Sequence, residues 1–396
     1  MKTPQNSERR PGAGARWRLF AALPGLLLAT LLNGCAGQPP QTAAVIDSGW
    51  LLSGRALLGE EVDGASLPED DILYLSPEMR SYLAQLAPGA SGDVRLQALL
   101  RGFQQQDFNV EYTPDATLTA GETYRQQQGN CIAFTVMMVA MARELGADAY
   151  FNQVEVPPVW GHEESQTFVV YRHINMVSES LRGRRVVDFN LAAYDPVYDQ
   201  RKLTDSEAFA QYYSNRGLEL MQQGEKRPAF LYLRKALELR PGSADLWANL
   251  GALYSRYQQF DAAEQSYLQA LQLDRRHAIA MSNLERLYRH EQRTELADYY
   301  AERARFHRER NPYYLYYQAR NAYEHGDFRE AKRQLKRALW KYENDHRFHF
   351  LMGLTSYQLG DVEDSRSHFV EAFSLADNPG TRQAYTRKLD YLKEHR

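Results

Sequence analysis

The pattern of apolar and small residues in the second half of the chain recurs every 34 residues. Trp247, Gly251 and Ala263 mark the clearest copy, and five copies share one register from about residue 210 to residue 379. This period is typical of stacked helix pairs, in which small residues lie where two helices approach closely. The pattern therefore predicts an all-α solenoid, closed by a cap helix over residues 380–395.

The copies resemble the tetratricopeptide repeat family at Trp247, Leu250, Gly251, Tyr254, Ala263, Tyr267 and Ala270. The resemblance implies a repeat array over residues 206–396 that binds a peptide or protein partner along its concave face. It places six candidate contact residues on that face, namely Arg286, Arg289, Tyr313, Tyr316, Arg320 and Tyr323. Tyrosine and arginine are favoured at interfaces. Tyrosines also fill the packing between repeats, so both interpretations stay open.

Residues 49–200 combine helical and alternating patterns and are predicted to form an α+β domain. Helices are predicted at 76–86, 93–106, 120–127 and 132–145, and strands at 108–112, 167–178 and 185–190. The helix at 132–145 is the most apolar of them. Asn130 is its expected N-cap, and Gly146 is its expected C-terminal stop.

Cys131 stands at the start of this apolar helix. The positive end of a helix dipole stabilises a thiolate, which favours a nucleophile near neutral pH, although a cysteine in this position is more often a buried apolar residue. A hairpin centred near residues 180–181 would set His173 across from Asp188. A carboxylate beside an imidazole fixes its tautomer and stabilises the imidazolium. The three residues are therefore predicted to form a catalytic triad.

An oxyanion hole is expected beside the nucleophile, and the backbone N–H of Cys131 is its natural first donor. The candidates for a second donor are the side chains of Gln126, Gln127 and Gln128. These glutamines are equally well explained as polar residues of a loop.

The middle domain resembles the transglutaminase-like superfamily, a branch of the papain-like thiol enzymes. The segments that carry the resemblance are Thr119–Glu122, Gly129–Cys131, Arg172–Asn175 and Val186–Phe189. The resemblance implies that Cys131 is the nucleophile, His173 the general base and acid, and Asp188 the orienting group. Asn175 departs from the family, in which many members have an aromatic residue two positions after the histidine.

The N-terminus resembles the signal peptide of bacterial lipoproteins. A basic segment and an apolar run from Leu19 to Leu32 precede the lipobox-like sequence Leu32-Asn33-Gly34-Cys35-Ala36. The resemblance implies that residues 1–35 hold the signal with Cys35 as the lipidated residue, and that residues 36–48 are a tether. Because Ala36 is not aspartate, the anchor is expected in the outer membrane, facing the periplasm. The alternative is an ordinary secretory signal with an incidental cysteine.

Composition excludes several other classes. The chain has 396 residues and two cysteines, which exclude a disulfide scaffold and a zinc ribbon. The net charge of −3 gives no basic excess, so no nucleic-acid partner is expected. No cofactor and no metal site are predicted, and His346 and His349 are interpreted as a solvated pair.

Two functional hypotheses follow. In the first, the chain is an exported, lipid-anchored thiol enzyme that acts on amide or isopeptide bonds, either as a peptidase or amidase or as a transglutaminase-like transferase. Its repeats would bind the substrate or a partner. In the second, the chain is a non-catalytic scaffold or adaptor of the cell envelope that uses its repeats for protein–protein interaction.

Overall fold

The computed structural model describes residues 46–104, 110–154, 168–169, 172–180, 183–189, 200–376, 382 and 385–386. The predicted signal peptide with Cys35 and nearly all of the predicted cap helix lie outside these residues. Within the described ranges, no helix is long and apolar enough to cross a membrane.

The first half of the described chain contains helices α1 Ser48–Ser53, α2 Arg55–Leu58, α3 Pro77–Gln85, α4 Gly92–Gln104, α5 Ala120–Gln126 and α6 Cys131–Glu144. Helices α3 to α6 confirm the four predicted helices. Side chains cap their first turns: Ser76 Oγ accepts the Met79 N–H at 3.3 Å, and Thr119 and Glu122 form a capping box at α5. Local capping chemistry therefore explains where α3 and α5 begin.

Helix α6 lies at the centre of the first half. Its residues from Ile132 to Ala142 are all buried. A helix that is apolar all round must be covered on every side, so α6 is a core helix and not a surface helix. Gly146 follows it with a φ of 80°, a left-handed conformation that suits glycine and ends the helix.

A four-stranded antiparallel sheet packs against α6. Its strands are β3 Ala149–Val154, β4 His173–Ser180, β5 Gly183–Val187 and β6 Gln200–Lys202, in the order β5-β4-β3-β6. A small parallel pair joins β1 Glu111–Tyr112 to β2 Gln128–Gly129. Strands β1, β4 and β5 confirm the predicted strands with shifted ends, whereas β2, β3 and β6 were not predicted.

The second half is a stack of helix pairs. The helices are α7 Asp205–Gln222, α8 Lys226–Leu239, α9 Ala244–Arg256, α10 Phe260–Leu273, α11 Ala278–His290, α12 Thr294–Arg310, α13 Pro312–Glu324, α14 Phe328–Lys341, α15 His346–Gln358 and α16 Val362–Leu375. Each odd-numbered helix packs on the next helix, which gives the five predicted copies.

Glycine permits the close approach of paired helices. A Cβ atom on Gly251 of α9 would lie 2.6 Å from Tyr267 Cε1 of α10, closer than carbon atoms can pack. Gly353 of α15 faces the Phe369 ring of α16 in the same way, at 2.8 Å. At Gly251 and Gly353, the small position of the repeat is therefore explained by a large aromatic ring on the partner helix.

The first half and the repeat array share one apolar core. A single cluster of buried side chains runs from Leu51 in α1 to Ala304 in α12. The Tyr254 hydroxyl of α9 donates to the Leu51 carbonyl, and the Asp47 N–H donates to Gln265 Oε1 of α10 at 3.1 Å. The α+β region is therefore packed directly on the first repeats.

Candidate active site

Cys131 is the first residue of α6 and lies at the positive end of the helix dipole. Asn130 caps the helix, because its Oδ1 accepts the Ala133 N–H at 3.1 Å. The Cys131 side chain is a free thiol and is only half-buried. The structure thus places this thiol at a helix start, as predicted, and within reach of solvent.

His173 opens β4, and its Nε2 lies 2.7 Å from Asp188 Oδ2. The Asp188 side chain is fully buried. His173 and Asp188 were predicted to lie directly opposite each other in the hairpin, and this register is wrong by two positions. The ladder pairs Met176 with Val187, and Asp188 follows Val187 at the end of β5. Asp188 reaches His173 diagonally. A shift of two keeps both side chains on one face of the sheet, since side chains alternate with a period of two.

Two asparagines hold the buried carboxylate. Asn175 Nδ2 donates to Asp188 Oδ2 at 2.9 Å, and Asn152 Nδ2 of β3 donates to Asn175 Oδ1 at 2.9 Å. A buried carboxylate is costly unless hydrogen bonds replace its water shell. Asn175, which departs from the resembled family, therefore satisfies the orienting aspartate, a role that was not predicted.

Thr135 joins the helix of Cys131 to the strand of His173. Its buried Oγ1 lies 2.7 Å from the Cys131 carbonyl oxygen and 3.1 Å from the Ile174 carbonyl oxygen. Because this hydroxyl lies between the Cys131 and Ile174 carbonyl oxygens, it helps to fix the first turn of α6 beside the start of β4.

The charge balance favours a protonated His173. Burial alone lowers the pKa of His173, but the hydrogen bond and charge of Asp188, together with the neighbouring Cys131, outweigh it and raise the pKa to about 9. Asp188 occupies Nε2, which leaves Nδ1 as the other ring nitrogen. This arrangement can stabilise a thiolate beside an imidazolium, and it can move a proton between the ring and a reacting group.

Tyr112 is a neighbour of the site that the sequence did not reveal. It pairs with Gly129, two residues before Cys131, and its ring centroid lies 5.6 Å from that of Phe189, the residue after Asp188. Burial raises the pKa of Tyr112, and the nearby Cys131 raises it further. Its half-exposed phenol is therefore near enough to Cys131 to interact with it electrostatically. Strand β1 is two residues long, so no alternation could have indicated this contact.

The candidate oxyanion residues lie at the end of α5 and on β2. Gln126 and Gln127 are exposed, and Gln127 has a left-handed φ of 53°. Gln128 is half-buried, and its Nε2 donates to Gln126 Oε1 at 3.1 Å. Gln128 and Gln126 thus contact each other, and the oxyanion role of the three glutamines stays a prediction.

The predicted partner-binding tyrosines contact aromatic rings of neighbouring helices. Tyr316 stacks on Phe348 of the next copy with 5.1 Å between centroids, and Tyr313 meets the same ring edge-on at 5.5 Å. Tyr323 meets Phe328 edge-on at 5.3 Å. These contacts are the ones expected if the tyrosines fill the packing between repeats.

The predicted partner-binding arginines have different surroundings. Arg320 is exposed and pairs with Glu324 one turn later, and Arg289 pairs with Glu285 and Asp298. Arg286 lies over the Phe168 ring with 4.3 Å to its centroid. Arg286 therefore contacts the chain's own α+β region.

The interpretation of His346 and His349 as a solvated pair is wrong. His346 is buried, and its Nδ1 lies 2.6 Å from the Tyr385 hydroxyl. His349 Nδ1 lies 2.9 Å from His368 Nδ1. In the described part of the chain, no cluster of three or more His, Cys, Asp or Glu side chains could hold a metal ion.

Comparisons with known proteins identify the repeats. Residues 210–243 and residues 244–277 each match the tetratricopeptide repeat family, so α7 to α10 are two such repeats. No curated protein matches the chain.

Three solved structures are similar to part of the chain. PilF of Pseudomonas aeruginosa is 22% identical over 48% of this chain and 94% of that chain, with a TM-score of 0.26. A MamA protein is 17% identical over 42% and 91%, with a TM-score of 0.24. YrrB, a repeat protein with an unusual peptide-binding site, is 18% identical over 46% and 94%, with a TM-score of 0.24.

Proposed function

We propose that the chain is a thiol-dependent acyl-transfer enzyme that acts on amide bonds. The observation that carries this proposal is the pair formed by His173 and the buried Asp188 carboxylate, whose Oδ2 lies 2.7 Å from Nε2, next to Cys131 at a helix start, which interacts with the same ring. A cysteine that only packs in the core needs no histidine beside it and no carboxylate hydrogen-bonded to that histidine. Nucleophile, base and orienting group in contact are the requirement of covalent catalysis.

In the first half-reaction, the Cys131 thiolate attacks the amide carbonyl carbon and forms a C–S bond, while the carbonyl electron pair moves onto oxygen. The Cys131 N–H at the start of α6 is oriented to donate to that oxyanion. The C–N bond then breaks, and the His173 imidazolium gives its proton to the leaving nitrogen. An acyl thioester on Cys131 and a free amine result.

In the second half-reaction, water or an amine attacks the thioester, and His173 accepts the proton of the attacking group. The C–S bond breaks and the thiolate of Cys131 returns. Water gives hydrolysis, as in a peptidase or amidase, and an amine gives transfer, as in a transglutaminase. Asp188 holds the ring in both steps, because its Oδ2 is hydrogen-bonded to both Asn175 and His173.

The repeats supply protein–protein interaction, the usual role of such arrays. We propose that they recruit the protein substrate or a partner peptide, with Arg320 and the neighbouring tyrosines as candidate contacts. The proposed site of action is the periplasmic face of the outer membrane, reached through a lipid on Cys35. This anchor rests on the sequence of residues 1–36, and loss of acyl labelling in Cys35→Ser would test it.

A second candidate function is a non-catalytic adaptor of the cell envelope. The two matched repeats at 210–277 favour it, because arrays of such repeats commonly bind proteins, and both family matches lie outside the α+β region. In an adaptor, the triad would be a folded remnant and Cys131 would show no enhanced reactivity.

Thiol labelling separates the two functions. Cys35→Ser leaves Cys131 as the sole cysteine, so iodoacetamide reports on one thiol. We expect folded protein to react with a rate that depends on His173 and falls in His173→Ala between pH 5 and 8. A Cys131 that reacts only after unfolding, or at the same rate without His173, would favour the adaptor.

A further inference from the structure

The residues directly before Cys131 and before His173 both contact carboxylates of the repeat array. Asn130 precedes the nucleophile and Arg172 precedes the base. Each contact spans a large separation in sequence, 89 residues for Asn130 and Glu219 and 73 residues for Arg172 and Asp245. The residue before the proposed nucleophile and the residue before the proposed base are therefore both bound to the repeat array.

Asp245 of α9 holds Arg172 with two hydrogen bonds. Arg172 Nε donates to Asp245 Oδ2 at 2.8 Å, and Arg172 Nη2 donates to Oδ1 at 3.0 Å. His277 also donates to Oδ1 through Nε2 at 2.8 Å, because its Nδ1 accepts the Ala280 N–H. A planar guanidinium bound at two points fixes orientation as well as distance. The start of β4 is thereby fixed against the repeats.

Glu219 of α7 holds the loop that leads into α6. It is 2% exposed, and its Oε1 accepts the Thr117 N–H at 2.9 Å and lies 3.4 Å from Asn130 Nδ2. Asn130 Nδ2 also donates to Thr117 Oγ1 at 2.7 Å. The other end of the same Asn130 side chain caps α6. One asparagine thus connects a repeat glutamate to the helix turn that carries Cys131.

A third contact also joins the repeat array to the α+β region. Asn283 of α11 pairs with both backbone polar groups of Phe168: Asn283 Oδ1 accepts the Phe168 N–H at 3.0 Å, and Asn283 Nδ2 donates to the Phe168 carbonyl at 2.8 Å. Arg286, one helical turn later, covers the Phe168 ring. Helices α9 and α11, of the second and third copies, therefore bind the chain's own segment before His173.

We propose that Glu219 and Asp245 are positioning residues for Cys131 and His173, so that the first repeats are part of the catalytic unit. This proposal rests on the proposed thiol chemistry. Neither carboxylate touches the reacting atoms; each acts through the residue that precedes a catalytic side chain. Because a misplacement of about 1 Å can cost about 100-fold in rate, two anchors from one rigid array can set the activity of the pair.

The test compares three variants of the full chain in the Cys35→Ser background. Asp245→Asn and Glu219→Gln keep shape and remove charge. Glu285→Gln is the matched control, since Glu285 lies on a repeat helix in an ion pair with Arg289. Circular dichroism and melting temperature show that each variant is folded. The two readouts are the iodoacetamide rate of Cys131 against pH and the NMR titration of the His173 ring.

We expect Asp245→Asn and Glu219→Gln to lower the Cys131 rate by about tenfold or more and to shift its pH profile, whereas Glu285→Gln keeps the profile of the parent protein. If a variant fails to fold, Arg172→Gln removes the two-point contact with Asp245 from the other side, and Thr117→Val removes the hydroxyl that contacts both Glu219 and Asn130. Folded variants with the parent profile and the parent His173 titration would overturn the proposal.

The second readout separates this proposal from the proposed function. If the iodoacetamide rate of Cys131 in the parent protein does not depend on His173, the proposed function is rejected. The NMR titration of the His173 ring then still tests whether Asp245 positions His173. A midpoint moved in Asp245→Asn but not in Glu285→Gln supports it, and an unmoved midpoint refutes it.

Discussion

The Asp188 carboxylate lies 2.7 Å from His173 Nε2, although the two residues are not opposite each other in the hairpin. Asp188 follows the end of β5, and its side chain turns back along the sheet to reach the ring. The same oxygen accepts Asn175 Nδ2 at 2.9 Å. The buried Oδ2 of Asp188 is therefore hydrogen-bonded to both the His173 ring and the Asn175 amide. The Asp188 carboxylate is also one of the groups that raise the pKa of His173.

Replacing Asp188 by asparagine should lower the pKa of His173. Burial lowers that pKa, and the carboxylate is a main reason why it stands near 9, so Asp188→Asn should move it from about 9 towards the ordinary value of 6.5. An NMR titration of the His173 ring measures the change. Turnover of an amide substrate should fall by about 10⁴-fold, the size seen when an orienting aspartate becomes asparagine.

Glu179→Gln provides the control for this change. Glu179 lies on the same strand and accepts the Tyr150 hydroxyl at 2.7 Å, at the end of β4 remote from His173. It should leave the His173 midpoint near 9. A midpoint that also stays near 9 in Asp188→Asn would show that the carboxylate does not control the ring.

The raised pKa of His173 predicts how stability depends on pH. Folding favours the imidazolium, so the stabilisation from this group is complete below about pH 6.5 and is lost as pH rises through about 9. The slope is at most about 1.4 kcal/mol per pH unit within that window. Urea unfolding of the parent protein and of His173→Gln at several pH values gives the difference. A difference that stays constant from pH 6 to pH 9.5 would contradict the raised pKa.

The places of Cys131, His173 and Asp188 in the fold were predictable from the sequence because the signals of their elements are local. Asn130 as a cap, Gly146 as a stop and an apolar run between them define α6, and alternation defines the faces of β4 and β5. The register of the hairpin was missed by two residues. Alternation has a period of two and cannot distinguish registers that differ by two.

The rest of the site could not be predicted because its signals are not local. Strand β3 is buried on both faces and carries Asn152 and Gln153 in its middle, so it shows neither alternation nor an apolar run. The pair of Arg172 and Asp245 joins residues 73 apart, and no pattern marks such a pair in a chain rich in charges. Contacts between the α+β region and the repeats therefore appear only in the folded structure.

Gly251→Ala should destabilise the repeat array. The added Cβ would lie 2.6 Å from Tyr267 Cε1, and the fully buried ring has no room to move away. Overpacking of this kind costs about 1–3 kcal/mol. Gly242→Ala is the control, since no atom lies within 4 Å of its added Cβ, and it should change stability by less than about 1 kcal/mol. Equal unfolding free energies for the two variants in urea would show that α9 and α10 do not require the glycine.

Tyr316 and Arg320 lie one turn apart on α13 and should separate packing from partner binding. Tyr316→Ala removes the ring that stacks on Phe348 and should cost about 1–3 kcal/mol, and Tyr316→Phe, which keeps the ring, should cost less than half of that. Arg320 is exposed, so Arg320→Ala should stay within about 0.5 kcal/mol. Urea unfolding measures all three.

If these values hold, Arg320→Ala is the variant that tests partner binding without disturbing the fold. We expect it to weaken retention of a bound partner while the melting temperature stays that of the parent protein. Tyr316→Ala would weaken retention only through loss of the packed repeat. A Tyr316→Ala protein as stable as the parent would instead show that packing does not require the Tyr316 ring. Tyr316 would then again be a candidate for direct contact with the partner.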